Sequence, residues 1–397
     1  VKDYLLRQLQ DQFRRVKIVQ KAVQKAEGKI DEPSDAYLAD ELRFGKTEEG
    51  LREFHEKHVQ PIIDAIKEAD ISMEDVDQYL YAKHAPERNA HIAEINPYFR
   101  DNDIPGSGMS DAEAKTVLDD FEKRGLTEKM EGIAKQIYAV NKARLELLER
   151  EGLESRETLE LWRKPYKYYV PLRGFTEEDQ ADVRPRTGRK YDIRGKESKR
   201  ALGRGSKALS PMTYSIMQME ESIIRAEKNK VGKSFLKLVE ANPNPELWEI
   251  NKVEFKPRYD TKTGEVVYEV DPGWKLADSV LSVKVDGEQT LITIHDDALA
   301  HTMKSMGAEH SNQVVRVLGS INRFLAAVNT SLNPEFVLSN FTRDLQTALI
   351  NLYGEQGAKG SLGEPKGIAR KVLKALPLAI SGVYAGVRGV DKAIFGV

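Results

Sequence analysis

Apolar residues recur at helical spacing along most of this chain, and that periodicity is the tightest constraint on its fold. Leu9, Val16 and Val23 repeat every seven residues, flanked by Leu6, Phe13 and Val19, with Arg, Lys and Gln opposite, which predicts one helix over 3–27. Pro33-Ser34-Asp35 opens a second helix and Gly45 closes it; Thr47-Glu48-Glu49 opens a third, in which Pro61 should kink or split the pattern. Ser72 with Asp75, and Ser110 with Glu113, read as capped helix starts, and 128–151 reads as a long helix ended by Gly152. Ser210-Pro211 starts another that runs to about Ala241. Period-two alternation appears at 247–255, 265–270, 281–285 and 290–294, with Asp286-Gly287 as a hairpin turn. Helices resume at Asp296, and Asn333-Pro334-Glu335 starts a further one. The expected fold class is therefore mainly α, a multi-helix assembly with a small inserted antiparallel β-sheet at about 245–295.

Charge divides the chain further. From Arg184 to Lys207 there are ten Lys/Arg against two acids, while 26–80 carries sixteen acids against six bases. The expected organisation is a helical domain over 1–165, and then the phrase Val170-Pro171-Leu172-Arg173-Gly174-Phe175 with a basic linker over 166–210. A helical domain holding the sheet follows over 211–355, and a basic, Gly-containing segment over 356–397. Glycine and like charge in 184–207 disfavour packing and attract polyanions. Its cations Arg184, Arg186, Arg189, Lys190, Arg194, Lys196, Lys199, Arg200, Arg204 and Lys207 are the candidate nucleic-acid contacts, against a linker, or an internal clamp on the acidic 26–80 region, as the plainer reading.

Catalytic patterns are absent from the sequence. There is no cysteine, so disulfides, thiolate metal sites and Cys nucleophiles are excluded. Neither a Gly-x-Ser-x-Gly elbow nor a Gly-x-x-x-x-Gly-Lys-Ser/Thr loop occurs, and Gly203-Arg204-Gly205-Ser206-Lys207 lacks the strand a phosphate cradle needs. His55-Glu56-Lys57-His58 has the wrong spacing for a zinc helix; His84 and His91 share a helix face without a third ligand. His295-Asp296-Asp297 reads as a helix cap. We expect no cofactor, no metal and no catalytic residue. Pro171, Leu172, Arg173, Phe175, Asn340, Arg343 and Asp344 read as interaction residues, since adjacent Arg343 and Asp344 cannot pair along a helix and point to partners elsewhere. No apolar run is long and uncharged enough to span a membrane. The chain begins at Val1 and reads as a product cut from something longer.

Three phrases together resemble a known group. Leu80-Tyr-Ala-Lys-His-Ala-Pro-Glu-Arg-Asn-Ala-His-Ile-Ala-Glu-Ile-Asn-Pro97 with Gly106-Ser-Gly-Met109, then Tyr169-Val-Pro-Leu-Arg-Gly-Phe175, then Asn333-Pro-Glu-Phe-Val-Leu-Ser-Asn-Phe-Thr-Arg-Asp344, are similar to segments of the large polyvalent proteins of tailed bacteriophages and prophages. These include a group with a Pro-Leu-x-Arg-Phe-Gly signature; here Arg173 follows Leu172 directly, and Gly174 and Phe175 are exchanged. The resemblance implies a non-catalytic segment of an internal virion protein, structural or protective during genome ejection, located in the virion and then in the host cytoplasm or envelope. Phage DNA, other ejected proteins and further copies of the chain are the implied partners. The alternatives are a scaffold segment of a larger phage enzyme, such as a virion RNA polymerase, and a nucleic-acid-binding module acting in the host.

Overall fold

Two long helices and their capped neighbours organise the molecule. The computed structural model describes residues 14–27, 30–173, 190–197, 202–208, 210–253, 255–259, 266–270 and 277–304, all within one compact unit, Val1–Phe324. The helices are α1 (Arg14–Glu27), α2 (Ala36–Phe54), α3 (Gln60–Ala69), α4 (Met73–Ile95), α5 (Pro97–Asp101), α6 (Asp111–Lys123), α7 (Thr127–Arg150), α8 (Arg156–Arg163), α9 (Pro211–Ala241) and α10 (Asp297–Lys304). The strands are β1 (Trp248–Lys252), β2 (Phe255–Tyr259), β3 (Val266–Val270), β4 (Val280–Val285) and β5 (Glu288–Ile294). The chain is mainly helical with a small antiparallel sheet, as its periodicities predict.

Local chemistry sets most helix ends. The Ser72 side chain accepts from Asp75 N–H, and Ser110 and Glu113 form a reciprocal capping box. Asp35 caps α2 by accepting from Leu38 N–H, and Asp296 Oδ1 accepts from Leu299 N–H at the start of α10. Asp70, at φ 53°, closes α3 in the left-handed region, with its N–H bonded to the carbonyls of Ile66 and Lys67.

One predicted boundary fails. Gly45 does not end a helix and Thr47 does not start one, because α2 runs unbroken through both. A glycine in a helix interior costs about 1 kcal/mol relative to alanine. Here packing against α9 outweighs that: a Cβ on Gly50 would lie 3.1 Å from Ile223 Cγ2, so the two helices are in close approach. Pro61 distorts the helix locally and does not split it. The turn before it, His55–Val59, widens to a π-helix in which Gln60 N–H bonds the His55 carbonyl, and α3 continues beyond. A single π-turn, with its i→i−5 bond, accommodates a proline that has no N–H to donate.

α9 is buried on nearly every side and is the spine of the described structure. Val231, Phe235, Leu238 and Val239 from its C-terminal half pack with Val16 of α1, Trp248, Leu281, Val283, Ile292 and Ile294 of the sheet, and Leu299 and Met303 of α10. The sheet order is β1-β5-β4, all antiparallel, with Trp248 opposite Ile294 and Val280 opposite Thr293. Asp286 (φ 50°) and Gly287 (φ 83°) make the β4–β5 turn, as their sequence predicts. β2 and β3 form a separate two-stranded ribbon, so the inserted strands make two sheets and not one.

Candidate nucleic-acid interface

The segment read as a basic linker contains a short strand-like phrase, Tyr191-Asp192-Ile193-Arg194. Tyr191 and Ile193 enter the core, 1% and 0% exposed, and Asp192 between them is buried too, at 2%. The segment is tied to β4 and α10: Ile193 N–H donates to the Ser282 carbonyl at 2.9 Å, Ser282 N–H donates to the Asp192 side chain at 2.8 Å, and Tyr191 N–H donates to Met303 O of α10 at 3.2 Å. This covers the open edge of β4, which would otherwise present unpaired backbone groups. The Tyr191 hydroxyl donates to Asp40 of α2, a contact with the acidic 26–80 region.

Beyond Arg194 the chain enters a buried ionic hub. The side chains of Glu197 and Lys284 are 2% and 3% exposed and lie 3.0 Å apart. Arg225 of α9 donates to both Glu197 oxygens, at 2.5 and 2.9 Å, and Lys284 Nζ also reaches the Leu153 carbonyl and Glu154. Arg144 of α7 donates to Ser222 Oγ at 3.0 Å and to the Glu197 carbonyl at 2.8 Å. Asn229 ties the hub to β4 by exchanging two bonds with the Lys284 backbone. Burial pushes the Glu197 carboxyl up, but the charges and hydrogen bonds of Arg225 and Lys284 outweigh it and hold the group down at about 2.

The ten candidate cations therefore divide. Arg194 pairs with Asp192 at 2.7 Å and donates to the Val280 carbonyl; Lys190 lies over the Tyr191 ring; Arg204 folds back on its own turn, donating to the Ser206 and Lys207 carbonyls. These three serve the fold, which differs from the expectation of cations laid freely along a polyanion. The missed signal was the period-two run from Tyr191 to Arg194. Lys196 and Lys207 face solvent. Arg184, Arg186, Arg189, Lys199 and Arg200 lie outside the described residues, as do Phe175, Asn340, Arg343 and Asp344.

The phrases quoted from 80–109 and 169–173 meet at one node around α4. Asn89 accepts from Ser107 N–H at 2.8 Å and donates to the Met109 carbonyl at 2.9 Å, and the Tyr81 hydroxyl donates to the Ser107 carbonyl. Gly108, at φ 86°, sits so close to 202–208 that a Cβ would lie 2.1 Å from the Ser206 carbonyl oxygen. Asn96 donates to the Leu202 carbonyl and Arg204 N–H to the Gly106 carbonyl, so the two glycine-bearing loops interlock. Glu87 accepts from the backbone N–H groups of Lys167 and Tyr168, at 3.0 and 2.9 Å. Leu172 packs against the apolar cluster of Tyr81, Ala82, Ala85 and Met109; Pro171 is buried, and the Arg173 guanidinium lies 5.4 Å from the Tyr214 ring.

His84 is at the centre of this node and fully buried. Tyr166 and Tyr169 meet its ring edge-to-face at 5.0 and 5.6 Å, and neither ring nitrogen has a hydrogen-bond partner. Burial first, and the nearby Arg88 charge second, lower its pKa to about 3, so the imidazole is neutral. His91, about two turns on along the same helix face, meets Tyr166 at 5.4 Å. Among the described residues no group of three or more His, Asp or Glu is arranged to hold a metal ion, and no helix is long and apolar enough to cross a membrane. No family model, curated protein or solved structure matches this chain.

Proposed function

We propose that this chain is a non-catalytic, structural segment of a phage polyvalent or internal virion protein, acting in genome ejection and contacting phage DNA through its basic segment. One observation carries the reading. In the described part of the phrases that resemble such proteins, Asn89, Glu87, Asn96 and Tyr81 hold backbone. Asn89 fixes 107–109, Glu87 fixes 167–168, Asn96 fixes 202, and the Tyr81 hydroxyl fixes 107. Side chains kept for chemistry would point at a shared reacting position; these point at peptide groups. These residues thus act as a scaffold. The same bonds anchor the chain at 166–173 and at 202–208, on either side of the basic segment.

The reading places the chain in the virion, and in the host cytoplasm or envelope after ejection, with other ejected proteins and further copies of itself as partners. Mass spectrometry of purified virions tests it, and the chain's absence from the particle sinks it. The DNA contact is tested by changing Arg184, Arg186, Arg189 and Arg200 together to Ser. If those four neutralise phosphates, the slope of log K against log salt on duplex DNA becomes shallower by roughly 3 to 4. Sequence preference should be absent, because phosphate contacts position without specifying. An unchanged slope leaves the segment as a linker.

A further inference from the structure

The twelve residues ending at Arg173, ahead of the basic segment, form a second cationic strip of a different kind. Trp162-Arg-Lys-Pro-Tyr-Lys-Tyr-Tyr-Val-Pro-Leu-Arg173 holds four cations, four aromatic rings and no acid. Only its first residues are helical, and a loop of this composition would ordinarily be mobile. Here its backbone is pinned from two helices. Glu87 of α4 takes the N–H groups of Lys167 and Tyr168, and Asn141 of α7 donates to the Tyr169 carbonyl at 3.0 Å.

The pinning sorts the side chains. Tyr166 and Tyr169 turn inward against His84, and Arg88 donates to the Tyr166 hydroxyl. Lys164 and Lys167 are exposed, and Tyr168, next to Lys167, is half-buried, 5.8 Å from the Tyr138 ring. Lys167 Nζ lies 5.0 Å and Lys83 Nζ 4.9 Å from the centre of the Tyr168 ring. The nearby acids are already engaged: Glu131 binds Lys83 Nζ at 2.6 Å and the Tyr79 hydroxyl at 3.0 Å, and Glu87 binds backbone. The strip thus presents net positive charge around an aromatic ring on a rigid base.

We propose that Tyr168, with Lys164 and Lys167, is a docking platform for single-stranded nucleic acid. A polyanion alone would need only the lysines. An aromatic ring set among cations fits a polyanion that also exposes flat π-faces, and a single strand does this where a duplex keeps its bases stacked inside. The flexible Lys167 side chain can move from over the ring to a phosphate, leaving the ring face to a base. The platform is separate from residues 184–207 and uses a different form of the ligand, so it goes beyond the duplex contact proposed above.

The test is fluorescence anisotropy of the full chain with a labelled oligothymidylate, with the same-length duplex and polyglutamate as probes alongside. Tyr168→Leu should weaken oligothymidylate binding roughly 5- to 100-fold, the range for losing one stacked base. Tyr168→Phe, which keeps the ring, should bind like the parent, so a folding defect in the leucine variant cannot imitate the result. Lys164→Ser with Lys167→Ser should make the single-strand salt slope shallower by about 1.4, at roughly 0.7 per contact. No binding of oligothymidylate by the parent, or equal affinity for it in the parent and Tyr168→Leu, overturns the proposal. An equal loss for oligothymidylate and polyglutamate also overturns it, and assigns the strip to an acidic protein surface. The Arg184/Arg186/Arg189/Arg200 variant keeps the two sites apart, since it should lose duplex affinity while the Tyr168-dependent difference persists.

Discussion

The ionic hub around Glu197 and the aromatic node around His84 are both buried and polar, and they solve the cost of burial in opposite ways. The hub keeps full charges and surrounds each with partners: Arg225 and Lys284 on the carboxylate, Leu153, Glu154 and the Asn229 exchange around the lysine. The node keeps its titratable group neutral and gives it rings instead of partners. Burying an isolated charge costs far more than burying a neutral polar group. The first arrangement is therefore rigid in composition, since no member can be removed alone. The second tolerates change at its centre and is strict only at its edge, where Asn89 and Gly108 lock two loops together.

Breaking the hub should give the largest effect. Glu197→Ala leaves Arg225 and Lys284 buried around a lost carboxylate, with Glu154 at 3.5 Å from the lysine as remaining compensation. The expected loss is about 3–5 kcal/mol of unfolding free energy by urea denaturation. A loss under about 1 kcal/mol would mean that water reaches the hub, and the contrast drawn above would fail.

Next comes the edge of the node. Gly108→Ala forces a Cβ to 2.1 Å from the Ser206 carbonyl at φ 86°, so either the loop at 106–109 or the one at 202–208 must shift. Steric and conformational strain together should cost more than about 2 kcal/mol. Gly45→Ala is the control. No atom lies within 4 Å of its Cβ position in the interior of α2, so it should stabilise by about 0.5–1 kcal/mol.

Acid separates the two centres. The His84 pKa falls from 6.5 unfolded to about 3 folded. Between those values the unfolded chain holds the extra proton, so this contribution to stability is complete above pH 6.5 and is lost as pH falls toward 3. Glu197 goes from 4.5 to about 2, so its contribution is complete above pH 4.5 and disappears toward 2. Asp77 runs the other way: burial raises it from 3.8 to about 6, so its contribution is present below 3.8 and lost as pH rises through 6. On acidification from pH 7 the node should weaken before the hub. Urea midpoints measured from pH 7 to 3 in Asp77→Asn, which removes the opposing contribution, should fall first in the His84 window.

How much of this could be read in the sequence depends on whether the cause was local. Ser72, Ser110, Asp296 and the Asp286-Gly287 turn act within four residues of themselves, and each does in the structure what its sequence predicts. The helix through Gly45 is not legible locally, because it is held by a distant surface, α9, and no signal near residue 45 reports that packing. In the basic segment, net charge masks a four-residue apolar-polar alternation, Tyr191 to Arg194, whose contact strand β4 lies about ninety residues away. The hub was illegible for the same reason: Glu154, Glu197, Arg225 and Lys284 are ordinary surface residue types until four elements meet.

The smallest expected effect tests the centre of the node. His84→Phe replaces an imidazole whose two nitrogens have no partner with a ring that has none to satisfy. The edge-to-face contacts with Tyr166 and Tyr169 can be kept by a phenyl group. Relief of the unsatisfied atoms opposes slight overpacking, so the change at pH 7 should lie between zero and a gain of about 1 kcal/mol. The gain should widen at pH 4.5, because the parent then loses stability by protonating His84 only when unfolded and the variant does not. Paired urea titrations at the two pH values decide it. A cost above about 2 kcal/mol at pH 7, or a difference that does not grow in acid, would show that His84 holds a polar bond within the node, making the node a second hub.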